Sequence, residues 1–174
     1  MDEVAAVPVR SSTVTPKLLA GVMTVIALDQ LVKLAVVRAV PVYDSVSIIP
    51  HVLDFTYVRN TGLAYGFLNE SNLPFKGLLT SALALAALFG IGLYARQLKA
   101  HERWARLGLT LILGGAFGNL IDRIRLGYVI DFVDVYWQNW HFWAFNVADA
   151  AISVGAVFVF LDLLLGNRHA SRSV

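Results

Sequence analysis

Asp131, in Tyr128-Val129-Ile130-Asp131-Phe132, and Asp149, in Phe145-Asn146-Val147-Ala148-Asp149-Ala150, are the residues whose type and setting could do chemistry. Asp149 opens a long apolar segment, where an ionised group is costly and needs a reason. Two carboxylates within a few ångströms of each other cannot both ionise easily, so one keeps the proton and the other the charge. The ionised member can take a proton from water while the protonated member polarises an amide carbonyl. Such a pair is sufficient for peptide hydrolysis without a metal, cofactor or covalent intermediate. Asp149 stands three residues after Asn146. If Asn146 caps a helix, Asp149 falls in its first turn, where the helix dipole favours the charged form. The expected assignment is Asp149 as the ionised base and Asp131 as the protonated acid.

The elements that would position this pair follow from composition. The chain of 174 residues is 57% hydrophobic and 15% charged, with a mean hydropathy of +0.66, outside the usual range of a soluble domain. Crossing about 30 Å of hydrocarbon takes about 20 helical residues. Four segments qualify, at about 18–37, 75–94, 104–121 and 148–165. The expected fold is a membrane all-α bundle of four transmembrane helices in one domain, residues 1–174, with a small β-rich subdomain on the outer membrane surface. In that insert, at about 39–60, Leu53, Phe55 and Tyr57 alternate with Asp54 and Thr56, and Pro41 and Pro50 act as breakers. It is the only stretch that reads as sheet.

Lys and Arg set the orientation. Arg10 and Lys17 precede the first span, Arg96, Lys99, Arg103 and Arg106 lie between the second and third, and Arg168 and Arg172 follow the last. All three clusters belong on the cytoplasmic side, so both termini point inward and both aspartates lie at the outer face. The aromatic group Tyr128, Tyr136, Trp137, Trp140, Phe142 and Trp143 suits an interfacial anchor. A cleaved signal peptide over residues 17–28 is disfavoured, because the apolar pattern resumes with Leu31, Val32 and Leu34 and no small-residue cleavage site follows. With no cysteine there is no disulfide or thiolate nucleophile. The scattered His51, His101, His141 and His169 suggest no metal site. The net charge of +2 reads as a membrane signature, with no nucleic-acid partner.

Other readings of these residues stand beside the chemical one. Asp131 could be a solvated loop acid next to Asp134, and Asp149 a capping acid. Asp29 has a structural partner in Lys33, four residues on and on the same helical face. Asp122-Arg123 could be a helix-end ion pair, and Asn60 a turn residue of Asn60-Thr61-Gly62. Gly114, Gly115 and Gly118 give the third span a small-residue face, which serves helix packing or the approach of a substrate helix. A small proton-coupled membrane transporter, with Asp29 and Asp149 in a relay, is the alternative function. It would be expected to show internal repeats or broken helices, and the sequence shows neither.

Five blocks carry a resemblance: Asp29-Gln30, Asn60-Thr61-Gly62-Leu63-Ala64-Tyr65-Gly66, the run Gly114 to Arg123, Val129-Ile130-Asp131-Phe132, and Phe145-Asn146-Val147-Ala148-Asp149. In order and spacing the chain resembles the lipoprotein signal peptidases, or signal peptidase II, departing at Tyr65, where Phe is more usual. The resemblance implies a multi-pass aspartic endopeptidase of the bacterial inner membrane with its active site at the periplasmic face. Its substrates would be diacylglyceryl-modified prolipoproteins, cut just before the lipidated cysteine, and globomycin-type cyclic peptides would inhibit it. Asp131 and Asp149 would be catalytic. Asn119 and Arg123 would organise the site, with Arg123 tying down the loop that carries Asp131. Asp29 would belong to the surroundings of the site and Asn60 would contact substrate or order the site. Gly62, Asp122 and Asn146 would complete the supporting set.

Overall fold

The apolar run from Pro16 to Ala39 forms one continuous helix, α1. The computed structural model describes residues 16–62, 75–98, 102–138 and 140–170. The sequence Leu63-Ala64-Tyr65-Gly66-Phe67, with its Tyr65 departure, lies outside them. Three further helices follow: α2 (Lys76–Ala95), α3 (Arg103–Leu126) and α4 (Val147–Ala170). Each of the four is long and apolar enough to cross a membrane. Large side chains such as Leu31, Phe89 and Phe160 are exposed on their outer surfaces, as expected where lipid replaces water as the surrounding medium.

The helix α3 is the centre of the bundle, and glycine puts it there. A Cβ on Gly108 would come within 2.5 Å of the Gly155 carbonyl of α4, and one on Gly155 would meet the Gly108 carbonyl at the same distance. A turn or two further on, a Cβ on Gly115 would run into the carbonyl of Ala148. Against α1, Gly114 faces Val25 and Gly118 faces the carboxylate of Asp29. Without hydrophobic driving force between helices in lipid, close backbone approach and polar contacts hold them together. The small-residue face is thus occupied by α1 and α4. Gly115→Val is expected to lower stability by about 1–3 kcal/mol through overpacking. Gly90→Ala, where nothing lies within 4 Å, should leave the melting temperature in detergent unchanged or slightly raised.

One end of the bundle carries an antiparallel sheet in the order β1 (Ser45–Ile49), β2 (Leu53–Asn60), β3 (Val129–Trp137) and β4 (Trp140–Phe145). The first two strands fall in the insert expected to be β-rich. The other two correct the expectation that no other stretch is sheet. Residues 129–132 of β3 are buried throughout, so no polar alternation advertises a strand. The aromatic run of β4, with Trp140 and Trp143 exposed, reads equally well as an interfacial loop. Val36 and Val40 from the end of α1 pack with Tyr57, Ile130 and Phe132 of the sheet, fastening sheet to bundle.

Two local devices aim β3. Gly127 ends α3 in the left-handed region at φ 80, its N–H donating to the Arg123 carbonyl at 3.0 Å, a conformation that suits glycine because it has no Cβ. The register then pairs Val58 with Asp131 and Asn60 with Val129. Side chains two residues apart in a strand share a face, so Asn60 becomes the diagonal neighbour of Asp131.

Candidate active site

Asp131 and Asp149 come from different elements, β3 and the first turn of α4, and both are buried. Asn146 joins them. Its Nδ2 donates to Asp131 Oδ1 at 2.6 Å, and its main-chain N–H donates to Asp149 Oδ2 at 3.3 Å. In return, Asn146 Oδ1 accepts the N–H of Asp149 at 2.9 Å. This reciprocal pair is a capping box, with Asn at the cap and Asp in place of the usual Glu or Gln three residues on. Asn146 therefore starts α4 and spans the space between the two carboxylates.

The remaining oxygens are held from other directions. Asn60 Nδ2 donates to Asp131 Oδ2 at 2.8 Å, while Asn60 Oδ1 accepts the Gly62 N–H at 2.8 Å, closing the expected turn. Asn119 Nδ2 donates to Asp149 Oδ1 at 2.8 Å. With Asp131 only 1% exposed, burial is the first cause, and the neighbouring Asp149 the second, that pushes its carboxyl up to about 7. The amides of Asn60 and Asn146 oppose the shift. Loss of water favours the neutral acid, whereas the amide donors favour the anion.

Behind this pair lies a second set of charges. Lys33 Nζ contacts Asp29 Oδ2 and Asp122 Oδ2, each at 2.8 Å, and donates to Asn119 Oδ1 at 3.0 Å. An ammonium has three hydrogens, and these contacts use all of them. The expected pairing of Asp29 with Lys33 is present. Asp29 does more than neutralise Lys33, because its Oδ1 accepts the Ala148 N–H at 3.0 Å. One of the unpaired amides at the start of α4 is thereby satisfied. Gln30 Nε2 bridges Asp29, Asp122 and the Gly118 carbonyl. Neither Lys33 nor Gln30 is among the site residues expected from sequence. The i,i+4 spacing marks the lysine as a partner of Asp29, but its contacts with α3 depend on helix packing.

Two expectations are corrected. Asp122 does not form a helix-end pair with Arg123. It points at Lys33 and Gln30, and accepts the main-chain N–H of Ile130 at 3.2 Å. Asp122 thus anchors the strand that carries Asp131. Arg123, expected to hold that segment, instead donates Nη2 to the Gly62 carbonyl at 3.0 Å and Nη1 to the Asn119 carbonyl at 3.5 Å. It fastens the chain leaving β2 to α3. The physical reason is direction: neighbouring helix residues point about 100° apart, so only one of the two can face the bundle interior. Asp134 takes no part, its Oδ2 lying 2.8 Å from His141 Nδ1.

The arrangement can hold one proton between two buried acids, with every carboxylate oxygen of the pair fixed by an amide. The family model described as Signal peptidase (SPase) II matches residues 21–165. A lipoprotein signal peptidase from Geobacter metallireducens is 43% identical over 147 residues, covering 84% of this chain and 90% of the relative. The one from Pseudomonas aeruginosa is 41% identical over 150 residues, covering 86% and 88%. Among solved structures, a bacterial membrane enzyme determined by the in meso method superposes with a TM-score of 0.76 at 25% identity, covering 91% of this chain and 92% of the other. These matches favour the peptidase over the transporter. With its four apolar helices and its polar site at the sheet end of the bundle, the chain belongs to the signal peptidase II family.

Proposed function

We propose that this membrane protease is an aspartic endopeptidase, with Asp131 and Asp149 its catalytic residues, that removes signal peptides from diacylglyceryl-modified prolipoproteins by cutting before the lipidated cysteine. The observation that carries the reading is the bridge of Asn146 between two buried carboxylates. Asp149, at the first turn of α4, accepts a proton from water as the water oxygen attacks the scissile carbonyl carbon. The proton of Asp131 goes to the carbonyl oxygen, leaving a neutral gem-diol. Asp149 then passes its proton to the amide nitrogen while Asp131 takes one hydroxyl proton of the gem-diol, which breaks the C–N bond, releases acid and amine and restores both carboxyls to their starting states. Asn60, Asn119 and Asn146 fix the carboxyls. Gly62, Asp29, Asp122 and Arg123 act through the turn after β2, the start of α4, the strand β3 and the chain leaving β2. The scheme calls for no metal or cofactor.

The clusters of basic residues support a placement in the bacterial inner membrane as one domain of residues 1–174. Both termini would be cytoplasmic and the sheet and site at the periplasmic face. There, water reaches the acids while lipid tails of the substrate stay in the bilayer. A globomycin-type cyclic peptide would compete for the same site. The testing experiment incubates the purified chain with a lipid-modified precursor and weighs both products. The expected cut lies immediately before the modified cysteine; cleavage elsewhere, or none, contradicts the reading.

Protonation gives a further prediction. Since Asp131 must carry a proton, kcat/KM should fall as pH rises through about 7. The same group makes stability fall over the range from about 4, its unfolded value, to about 7, because the folded state then binds the extra proton. A stability profile that rises across this range, or is unchanged by Asp131→Asn, would contradict the assignment.

A further inference from the structure

At the end of the bundle away from the sheet, α1 and α3 both begin, and a groove of about 790 Å³ opens between them. We propose that this groove binds the headgroup of an anionic phospholipid. Its lining includes three basic side chains, Lys17, Arg103 and Arg106, above an apolar floor that includes Leu18, Gly21 and Leu107. Lys17 and Arg103 are exposed and Arg106 half-buried. Among the described residues that line the groove, none is acidic. The floor is apolar for identifiable reasons. Thr110 spends its hydroxyl on the Arg106 carbonyl at 2.8 Å, and its methyl faces Gly21, where a Cβ would come within 2.6 Å. The helices therefore nearly touch at the bottom and part towards their ends.

The placement selects the occupant. Apolar Leu19, Trp104 and Leu107 are exposed on the same turns, so the groove opens sideways into hydrocarbon and endwards to the level of headgroups. A ligand must bring a negative head and an apolar tail. Lys17 precedes Asp29 by 12 residues, about 18 Å of helix, so the groove is separate from the carboxylate pair. Phosphatidylcholine offers a phosphate with its own cation alongside, whereas phosphatidylglycerol leaves its charge to the protein.

The test is native mass spectrometry of the full chain in detergent, titrated with phosphatidylglycerol and phosphatidylcholine together. Phosphatidylglycerol should be retained preferentially. Lys17→Gln, Arg103→Gln and Arg106→Gln should each reduce that preference about fivefold, the worth of one basic side chain at an anionic surface. Gly21→Leu, which fills the floor, should reduce it too. Arg38→Gln, at the opposite end of α1, should leave it unchanged. Equal retention of the two lipids would overturn the proposal. So would a preference that survives all three Gln substitutions in a chain that still cleaves its precursor, or displacement of the lipid by an equal concentration of inorganic phosphate.

Discussion

Asp131→Asn and Asp149→Asn should each lower kcat for precursor cleavage about 10³-fold or more, with a much smaller change in KM. Asparagine keeps the size of the side chain but can neither accept a proton from water nor hand one to a carbonyl, and acid–base catalysis of this kind contributes about 10² to 10⁴ in rate. Substrate affinity should survive, because it draws on the apolar signal peptide and lipid. At position 131 the substitution carries a structural cost as well. Asp131 accepts one donor on each oxygen, from Asn146 and from Asn60. An amide offers only one acceptor, so one donor is left facing another at a cost of about 1–3 kcal/mol. A mobility-shift assay on the precursor measures the rate, and thermal unfolding of the same sample separates lost chemistry from lost fold. A folded variant with more than about a tenth of normal kcat would show that its carboxyl does no proton transfer.

Lys33→Met should give the largest loss of stability of any conservative change in the bundle, about 3–5 kcal/mol. Lys33 is 2% exposed, and Asp29 and Asp122 on either side of it are equally deep. Removing one partner of a buried ionic group leaves uncompensated charge, which costs far more than the intact group contributes. The change also frees Asn119, which Lys33 holds by its oxygen while its amide holds Asp149. Activity should therefore fall in the fraction that remains folded. The readout is the unfolding midpoint in detergent. Lys33→Met combined with Asp29→Asn should be more stable than Lys33→Met alone, because one unpaired carboxylate is gone. A double variant less stable than the single would show that charge balance is not what Lys33 supplies.

Much of this site is legible in the chain because membrane sequence leaves few places for charge. An acid in an apolar run must have a partner, which marks Asp29 and Asp149; Asp122, at the end of the third span beside Arg123, is singled out only by the family resemblance. The spacing of Asn146 and Asp149 discloses a cap before any coordinates, since both residues belong to one helix turn. What the sequence conceals is set by packing across elements. Nothing local says that Lys33 of α1 reaches Asn119 of α3, or that Asp122 rather than Arg123 turns inward to bind the start of β3. The strand β3 is hidden for a related reason: its first four residues are buried on both faces, and the period of two that marks a strand needs one wet face. Asp131 consequently looks like a loop acid in sequence, although it is a strand residue 1% exposed in the fold.

In the proposed mechanism, Asp131 and Asp149 act as one unit on one water molecule. Its most direct test is kcat of the Asp131→Asn/Asp149→Asn double variant against the two single variants, in protein verified as folded. Groups that share a single step are strongly non-additive, so the double variant should cleave within about threefold of the slower single. A double variant slower by the product of the two separate losses would show independent roles and contradict the account.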